Sequence, residues 1–349
     1  MTPDYPAVHT TRTGAGAVRH DERVSDPIDE FSFLPEQAAE AGIDAPLPRG
    51  RRLTLTHESG RRLSALHYAP ADAPDMPPVV TLLHGAGLNA HTWDTTILAL
   101  GLPALAIDLP GHGDSSWRDD AAYLARVLAA DVAAGMDAWT AEPQVLVGQS
   151  LGGLTAAAVA ASRPDLVREL VVIDITPGVD ANAGPTQIRE FFAGPVDWAS
   201  RDELVDRALA FGLGGGTRRK AERGVFHNSR VRPDGRVEWK HHFAHLANAA
   251  SAAHAGDEPV AAPFAVPPAG GTDAVASVLG ESGWEDLAAV RAPTTLIRGD
   301  RGYVTDADAE VFARRLPAAS VVSVPAGHNV QEDIPADLAA LLRRRALDT

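Results

Sequence analysis

Cysteine is missing from all 349 positions, which excludes disulfides, thiolate metal sites and thiol nucleophiles. Any chemistry must therefore come from oxygen and nitrogen groups. Lysine is almost missing too, with Lys220 and Lys240 alone, although arginine is abundant. Positive charge is in short supply: 31 Lys and Arg face 46 Asp and Glu, and the formal charge of -15 repels phosphate backbones and anionic membrane surfaces. The basic side chains that exist lie in short runs such as Arg343-Arg344-Arg345, so nucleic acid is not an expected partner. Long apolar runs are lacking as well. The longest small-apolar stretch, Ala156 to Ala161, is far too short to cross a bilayer, and residues 1–16 hold Asp4 and two prolines without an apolar core of signal-peptide length. The expectation is a cytoplasmic chain that does not insert into membranes.

With 45% hydrophobic residues, the chain can bury one large core and still carry an insertion. Residues 1–48 are rich in Pro, Asp, Thr and Gly and read as an extension, partly disordered. One piece of it, Phe31, Phe33 and Leu34 before a short helix from Glu36 to Ala41, carries aromatics that need somewhere to dock. From residue 51, Leu53 and Leu55 alternate with polar residues, Gly60 marks a turn, and Leu63, Leu66 and Tyr68 follow, which predicts an exposed antiparallel hairpin. The continuous apolar runs Val79 to Leu83, Ala104 to Ile107 and Val145 to Val147 are instead strands covered on both faces, as in a parallel sheet. Helical stretches around Thr92 to Leu100, Asp120 to Trp139 and Leu151 to Ala161 alternate with them, the pattern of a right-handed βαβ series. The series runs on through a strand from Leu170 to Ile175, stops, and resumes at Thr294 to Ile297 with the strand Ser320 to Val324 and a last helix from Pro335 to Arg345.

The sharpest chemical signal is Gly148-Gln149-Ser150-Leu151-Gly152-Gly153, where an apolar strand ends and a helix begins. A serine hydroxyl becomes a useful nucleophile only when held clear of its neighbours beside a base. A tight strand-to-helix turn does the first job and needs small residues at Gly148 and Gly152. The Leu151 amide then opens a helix and points at a developing oxyanion. Acyl transfer requires a second donor, and the Gly-flexible turn His84-Gly85-Ala86-Gly87 after the strand Val79 to Leu83 offers the Ala86 N–H. His84 itself reads as a loop-holding residue. The base candidate is His328 in Gly327-His328-Asn329, just after the last strand. His241, His242 and His245 include an i, i+4 pair, but no carboxylate accompanies them in a metal-binding pattern, so no metal is expected and the cluster is read as solvated or lid-lining.

These segments, together with Asp108-Leu109-Pro110-Gly111-His112-Gly113-Asp114-Ser115, resemble the landmark motifs of the α/β-hydrolase superfamily, over residues 51–178 and 285–345. The resemblance implies an α/β-hydrolase fold: a mostly parallel central sheet flanked by helices, with an inserted, mainly helical cap. The core would be residues 49–178 and 285–349 and the cap 179–284. The aromatics Phe191, Phe192, Trp198, Phe211, Phe226, Trp239 and Phe243 would wall a pocket, form the cap's own core, or both. Phe226-His227-Asn228 and Pro233-Asp234-Gly235-Arg236 read as a polar turn and a hairpin, and Ala261 to Thr272 as a linker.

The acid departs from the commonest family pattern. Most relatives carry a carboxylate shortly past the glycine ending the penultimate strand, and here that position is Gly302. Asp174 in Val171-Val172-Ile173-Asp174-Ile175-Thr176-Pro177 is the substitute, since a subgroup of bacterial esterases in the superfamily takes its acid from there and the Asp-Ile-x-Pro sequence resembles theirs. Asp300 and Asp306, which flank the usual site, remain the alternatives. Asp108 and Asp114 are read as holding loop structure.

The resemblance implies hydrolysis of an ester, thioester or lactone through an acyl-Ser150 intermediate, without a cofactor. Cleavage of a carbon–carbon bond or a biosynthetic tailoring step would use the same triad. A non-catalytic ligand-binding protein of this fold is the alternative of another class, against which the presence of both Ser150 and His328 argues. Nothing in the sequence sets an oligomeric state.

Overall fold

The computed structural model describes residues 28–179, 195–211, 216–246 and 283–347. Its strands are β1 (Arg49–Thr56), β2 (Arg62–Ala69), β3 (Val80–Leu83), β4 (Ala104–Asp108), β5 (Gln144–Gln149), β6 (Val167–Ile173), β7 (Asp197–Trp198), β8 (Ser229–Val231), β9 (Val237–Trp239), β10 (Thr294–Gly299) and β11 (Ser320–Val324). Eight of them form one sheet in the order β1-β2-β4-β3-β5-β6-β10-β11. The pairs β1/β2 and β2/β4 are antiparallel and all later pairs parallel.

The apolar runs explain why this sheet is covered on both sides. Side chains alternate across a strand, so Leu105, Ile107, Leu146, Leu170 and Val172 enter one core. Ala104, Ala106, Val145, Val147, Val171 and Ile173 enter the other. Helix α1 (Leu34–Glu40) and helix α2 (Asp94–Leu100) contribute Leu34, Ile97 and Leu100 to the second layer, as does the C-terminal helix Pro335–Leu347 through Leu338 and Leu342. Helix α3 (Ala125–Trp139) and helix α4 (Leu151–Ser162) lie on the first layer. Helix α4 is buried nearly all round, and its run of alanines lets it pack close.

Two expectations are corrected here. The first hairpin is not exposed: β1 is the half-exposed edge, but Leu63 through Ala69 of β2 are buried. The reason is the segment before it. Phe31 meets Tyr68 edge to face at 5.7 Å between ring centres, and Leu34 and Ala38 join the core, so residues 28–47 cover a face that the sequence pattern left open to water. In addition, β6 ends at Ile173 rather than Ile175, which leaves Asp174 just beyond the strand.

Residues 195–211 and 216–246 form a small unit with its own core. Helix α5 (Arg201–Ala210) and helix α6 (Arg218–Asn228) pack Leu204, Val205, Ala221 and Val225 with Trp198 and Trp239 of the sheet β7-β9-β8. Pro233 to Arg236 turn the β8/β9 hairpin as expected, but Phe226-His227-Asn228 end α6 instead of forming a turn: Ala221 and Val225 face the unit's own core, while the opposite side of the helix is covered where His227 stacks on His91. Phe191, Phe192 and the stretch Ala261 to Thr272 lie outside the described residues. Among the described residues, no helix is long and apolar enough to cross a membrane.

Candidate active site

Ser150 sits between β5 and α4 with φ 53° and ψ -121°, a backbone state that non-glycine residues rarely adopt and that costs on the order of 1–3 kcal/mol. Its surroundings enforce it. A β-carbon on Gly148 would strike the Gly152 carbonyl, and one on Gly152 would strike the carbonyls of Leu83 and His84. The Ser150 N–H donates to Ile173 O at 3.0 Å, tying the turn to the end of β6. The side chain projects from this turn beside the loop after β3, where a β-carbon on Gly85 would lie 3.2 Å from Ser150 Cβ.

Asp174 is fully buried and also left-handed, with φ 48°. Its carboxylate is saturated with donors: Gly299 N–H to Oδ1 at 3.0 Å, Tyr303 N–H to Oδ2 at 2.7 Å, and His328 Nδ1 to Oδ2 at 2.8 Å. This contact orients the imidazole so that Nε2 is left for other work. Gln149 Nε2 donates to His328 O at 3.1 Å, so the residue before the serine also holds the histidine loop. No hydrogen bond joins Ser150 Oγ to His328 among the described residues. Such pairs often tighten only when substrate binds. Asp300 and Asp306 turn elsewhere, pairing with Arg301 and Arg298 on the surface.

The Ala86 and Leu151 amides have no acceptor among the described residues, which leaves both free for an oxygen ligand. His84 is a loop holder: its Nε2 accepts from Leu109 N–H at 2.9 Å, so Nδ1 carries the proton and donates to Gly85 O at 2.8 Å. Burial holds its pKa below the ordinary histidine value, which favours this neutral form. Asp108 accepts from the amides of Ala90 and Asp114 and pairs with Arg52 at 2.8 Å.

The histidines of 241–245 are not solvated. His241 is fully buried, and His242 stacks on Trp117 at 4.5 Å and shares a 2.8 Å hydrogen bond with Tyr123. They dock residues 240–246 onto the loop from Pro110 to Tyr123, helped by Lys240 on Asp114 at 3.1 Å. The sequence missed this because His241 and His242 lie in the turn before a helix that begins at Phe243, where no periodicity marks which side chains are covered.

A feature without any sequence signal lies where residues 28–40, the core and α6 meet. His91 contacts Asp94 through Nδ1 at 3.0 Å and Glu30 through Nε2 at 3.1 Å, and stacks on His227 at 3.7 Å. Burial opposes charge on His91, but Asp94 and Glu30 outweigh it and push its pKa up to about 9. His91, Asp94 and His227 bring possible metal-ligand atoms within 4.8 Å of one another. However, parallel rings aim their lone pairs side by side instead of at one point, and both His91 nitrogens are engaged, so the group is an ionic clasp. Next to it, Asn228 Nδ2 donates to Gly87 O at 2.6 Å.

A strained serine after the fifth strand, a buried carboxylate on a late histidine and two free amides, all at one end of a mostly parallel sheet, define the class of serine hydrolases with α/β architecture. The chain belongs to the alpha/beta hydrolase family, whose sequence model matches residues 82–341. It is similar to the esterase Rv0045c of Mycobacterium tuberculosis, with 35% identity over 92% of this chain and 97% of that one. A solved structure of that esterase superposes with a TM-score of 0.70 at 36% identity, covering 93% of this chain and all of the other. A shorter stretch, 28% of this chain, is 40% identical to the pimeloyl-[acyl-carrier protein] methyl ester esterase of Neisseria meningitidis, covering 36% of it.

Proposed function

We propose that the protein is an esterase that cleaves a carboxylic ester, thioester or lactone of a small molecule through an acyl-enzyme on Ser150. The observation that carries this reading is the buried Asp174–His328 hydrogen bond at 2.8 Å, in a chain whose serine occupies a strained elbow tied to the same strand end. A histidine paired in this way can take a proton at Nε2 and keep the resulting imidazolium oriented.

In the reaction, Ser150 Oγ attacks the acyl carbon while its proton passes to His328 Nε2. Asp174 holds the imidazolium through Nδ1. The carbonyl electrons move onto oxygen, which the Ala86 and Leu151 amides receive, each such donor being worth about 10²–10³ in rate. Collapse expels the alcohol with the proton from His328. Water then repeats the sequence and frees the acid. Every step uses side-chain oxygen, imidazole and backbone amides, so no cofactor is invoked. The inserted segment acts as a lid: Asn228 binds it to the loop after β3 that lies beside Ser150, Lys240 and His242 bind it to the loop after β4, and closing it would strengthen the oxyanion contacts by excluding water.

The test is a panel of p-nitrophenyl esters, lactones and thioesters, with fluorophosphonate labelling of the wild type and Ser150→Ala. Turnover of one class with labelling confined to the wild type supports the reading. Absence of both would leave a binding protein.

A further inference from the structure

We infer that Tyr303 is a positioning residue for this reaction: its ring, stacked on His328, fixes the imidazole plane and stabilises the imidazolium formed as Ser150 attacks. The inference rests on the proposed roles of Ser150 and His328.

One hydrogen bond fixes an atom and a direction, but it leaves a ring free to swing about that axis. The Asp174 bond to Nδ1 alone would therefore let Nε2 wander. Tyr303 removes that freedom, because the two ring centres lie 3.6 Å apart with planes only 15° from parallel. So short a centre-to-centre distance leaves little offset between the rings. Two neutral aromatic rings disfavour such near-eclipsed stacking, whereas a cation over a ring face is attracted by the π electrons. The arrangement thus suits the charged imidazole better than the neutral one. An interaction stronger in the transition state than in the ground state is what raises kcat.

Tyr303 also reaches the acid. Its backbone N–H donates at 2.7 Å to the same Asp174 oxygen that accepts from His328, so one residue touches both partners. Burial and the Asp174 charge keep its phenol pKa above the ordinary tyrosine value, so the ring stays neutral. Because the amide is backbone, side-chain substitution leaves the acid's anchor in place and tests the ring alone.

The experiment uses the full-length chain with a p-nitrophenyl ester and compares Tyr303→Phe, Tyr303→Leu, and pentafluorophenylalanine installed at position 303. The fluorinated ring keeps the shape of phenylalanine but reverses the charge on its face. Expected are kcat within about twofold of wild type for Tyr303→Phe and about tenfold lower for Tyr303→Leu and the fluorinated variant, with KM changed less than about twofold. Equal kcat for the phenylalanine and pentafluorophenylalanine variants would overturn the inference, as would a loss seen only in KM. If Tyr303→Leu folds poorly, the two aromatic variants still decide. Ser150→Ala is run alongside: residual turnover there defeats the esterase mechanism itself, whereas abolished turnover with unaffected Tyr303 variants defeats only the present inference.

Discussion

The carboxylate of Asp174 fills the space that a β-carbon on Gly302 would need. A methyl group placed there would meet Oδ1, Oδ2 and Cγ of Asp174 well inside van der Waals contact. The acid and the glycine are therefore complementary: the carboxylate arrives from the end of β6, and position 302 must stay empty to admit it. Gly302→Ala is expected to displace Asp174 from His328 and lower kcat by at least about tenfold, with a stability loss of about 1–3 kcal/mol from overpacking. Steady-state kinetics and urea unfolding check both. Unchanged kinetics would mean that the loop yields without moving the acid.

Asp174→Asn tests the acid directly. Fully buried and holding three donors, the side chain cannot be replaced by an amide without turning an N–H toward another N–H. Turnover should fall by about 10⁴-fold, the size of the corresponding change in a serine-protease triad, while Asp300→Asn, on an exposed residue paired to Arg301, should stay within about twofold. Equal losses in the two variants would move the acid elsewhere.

Asn228→Ala probes the bond from α6 to the turn that presents the Ala86 amide. Loss of the 2.6 Å contact to Gly87 O frees that turn, so kcat should fall about three- to tenfold while KM changes little. Affinity for a boronic-acid transition-state analogue should weaken in parallel. A fall in KM-dependent rates with unchanged analogue affinity would assign Asn228 to substrate binding instead.

Acid should loosen the docking of residues 240–246. Burial pushes the pKa of His241 down to about 3, and burial with the neighbouring His245 pushes His242 down to about 4, below the usual value near 6.5. Below pH 6.5 the unfolded chain binds these protons and the native state does not, so the stability that the neutral rings contribute is complete above pH 6.5 and is lost as pH falls toward 4 and 3. Each ring sets a slope of at most about 1.4 kcal/mol per pH unit, and less for the half-buried His242. Unfolding midpoints measured from pH 7 to 4 should drop less steeply in His241→Asn than in the wild type. Parallel curves would show that this histidine is not the sensor.

Much of this protein follows from local sequence alone. The apolar runs at 79–83, 104–107 and 145–147 read as two-sided strands, and small residues at 148 and 152 around Ser150 are a steric requirement of a tight strand-to-helix turn, so the sheet and the turn that carries Ser150 were readable residue by residue. The empty position at Gly302 likewise pointed back to Asp174, though by resemblance and not by any local rule. What tertiary structure alone decided are contacts between segments distant in the chain. Phe31 buries a hairpin whose alternating pattern reads as exposed, His91 is charged only because Glu30 and Asp94 close on it, and Phe226-His227-Asn228, polar enough to read as a turn, is helical because His227 stacks on His91. Tyr303 lies on the imidazole face for the same reason. A local pattern records which face of an element is apolar, but not which remote side chain will cover it or which charge will arrive beside a buried ring.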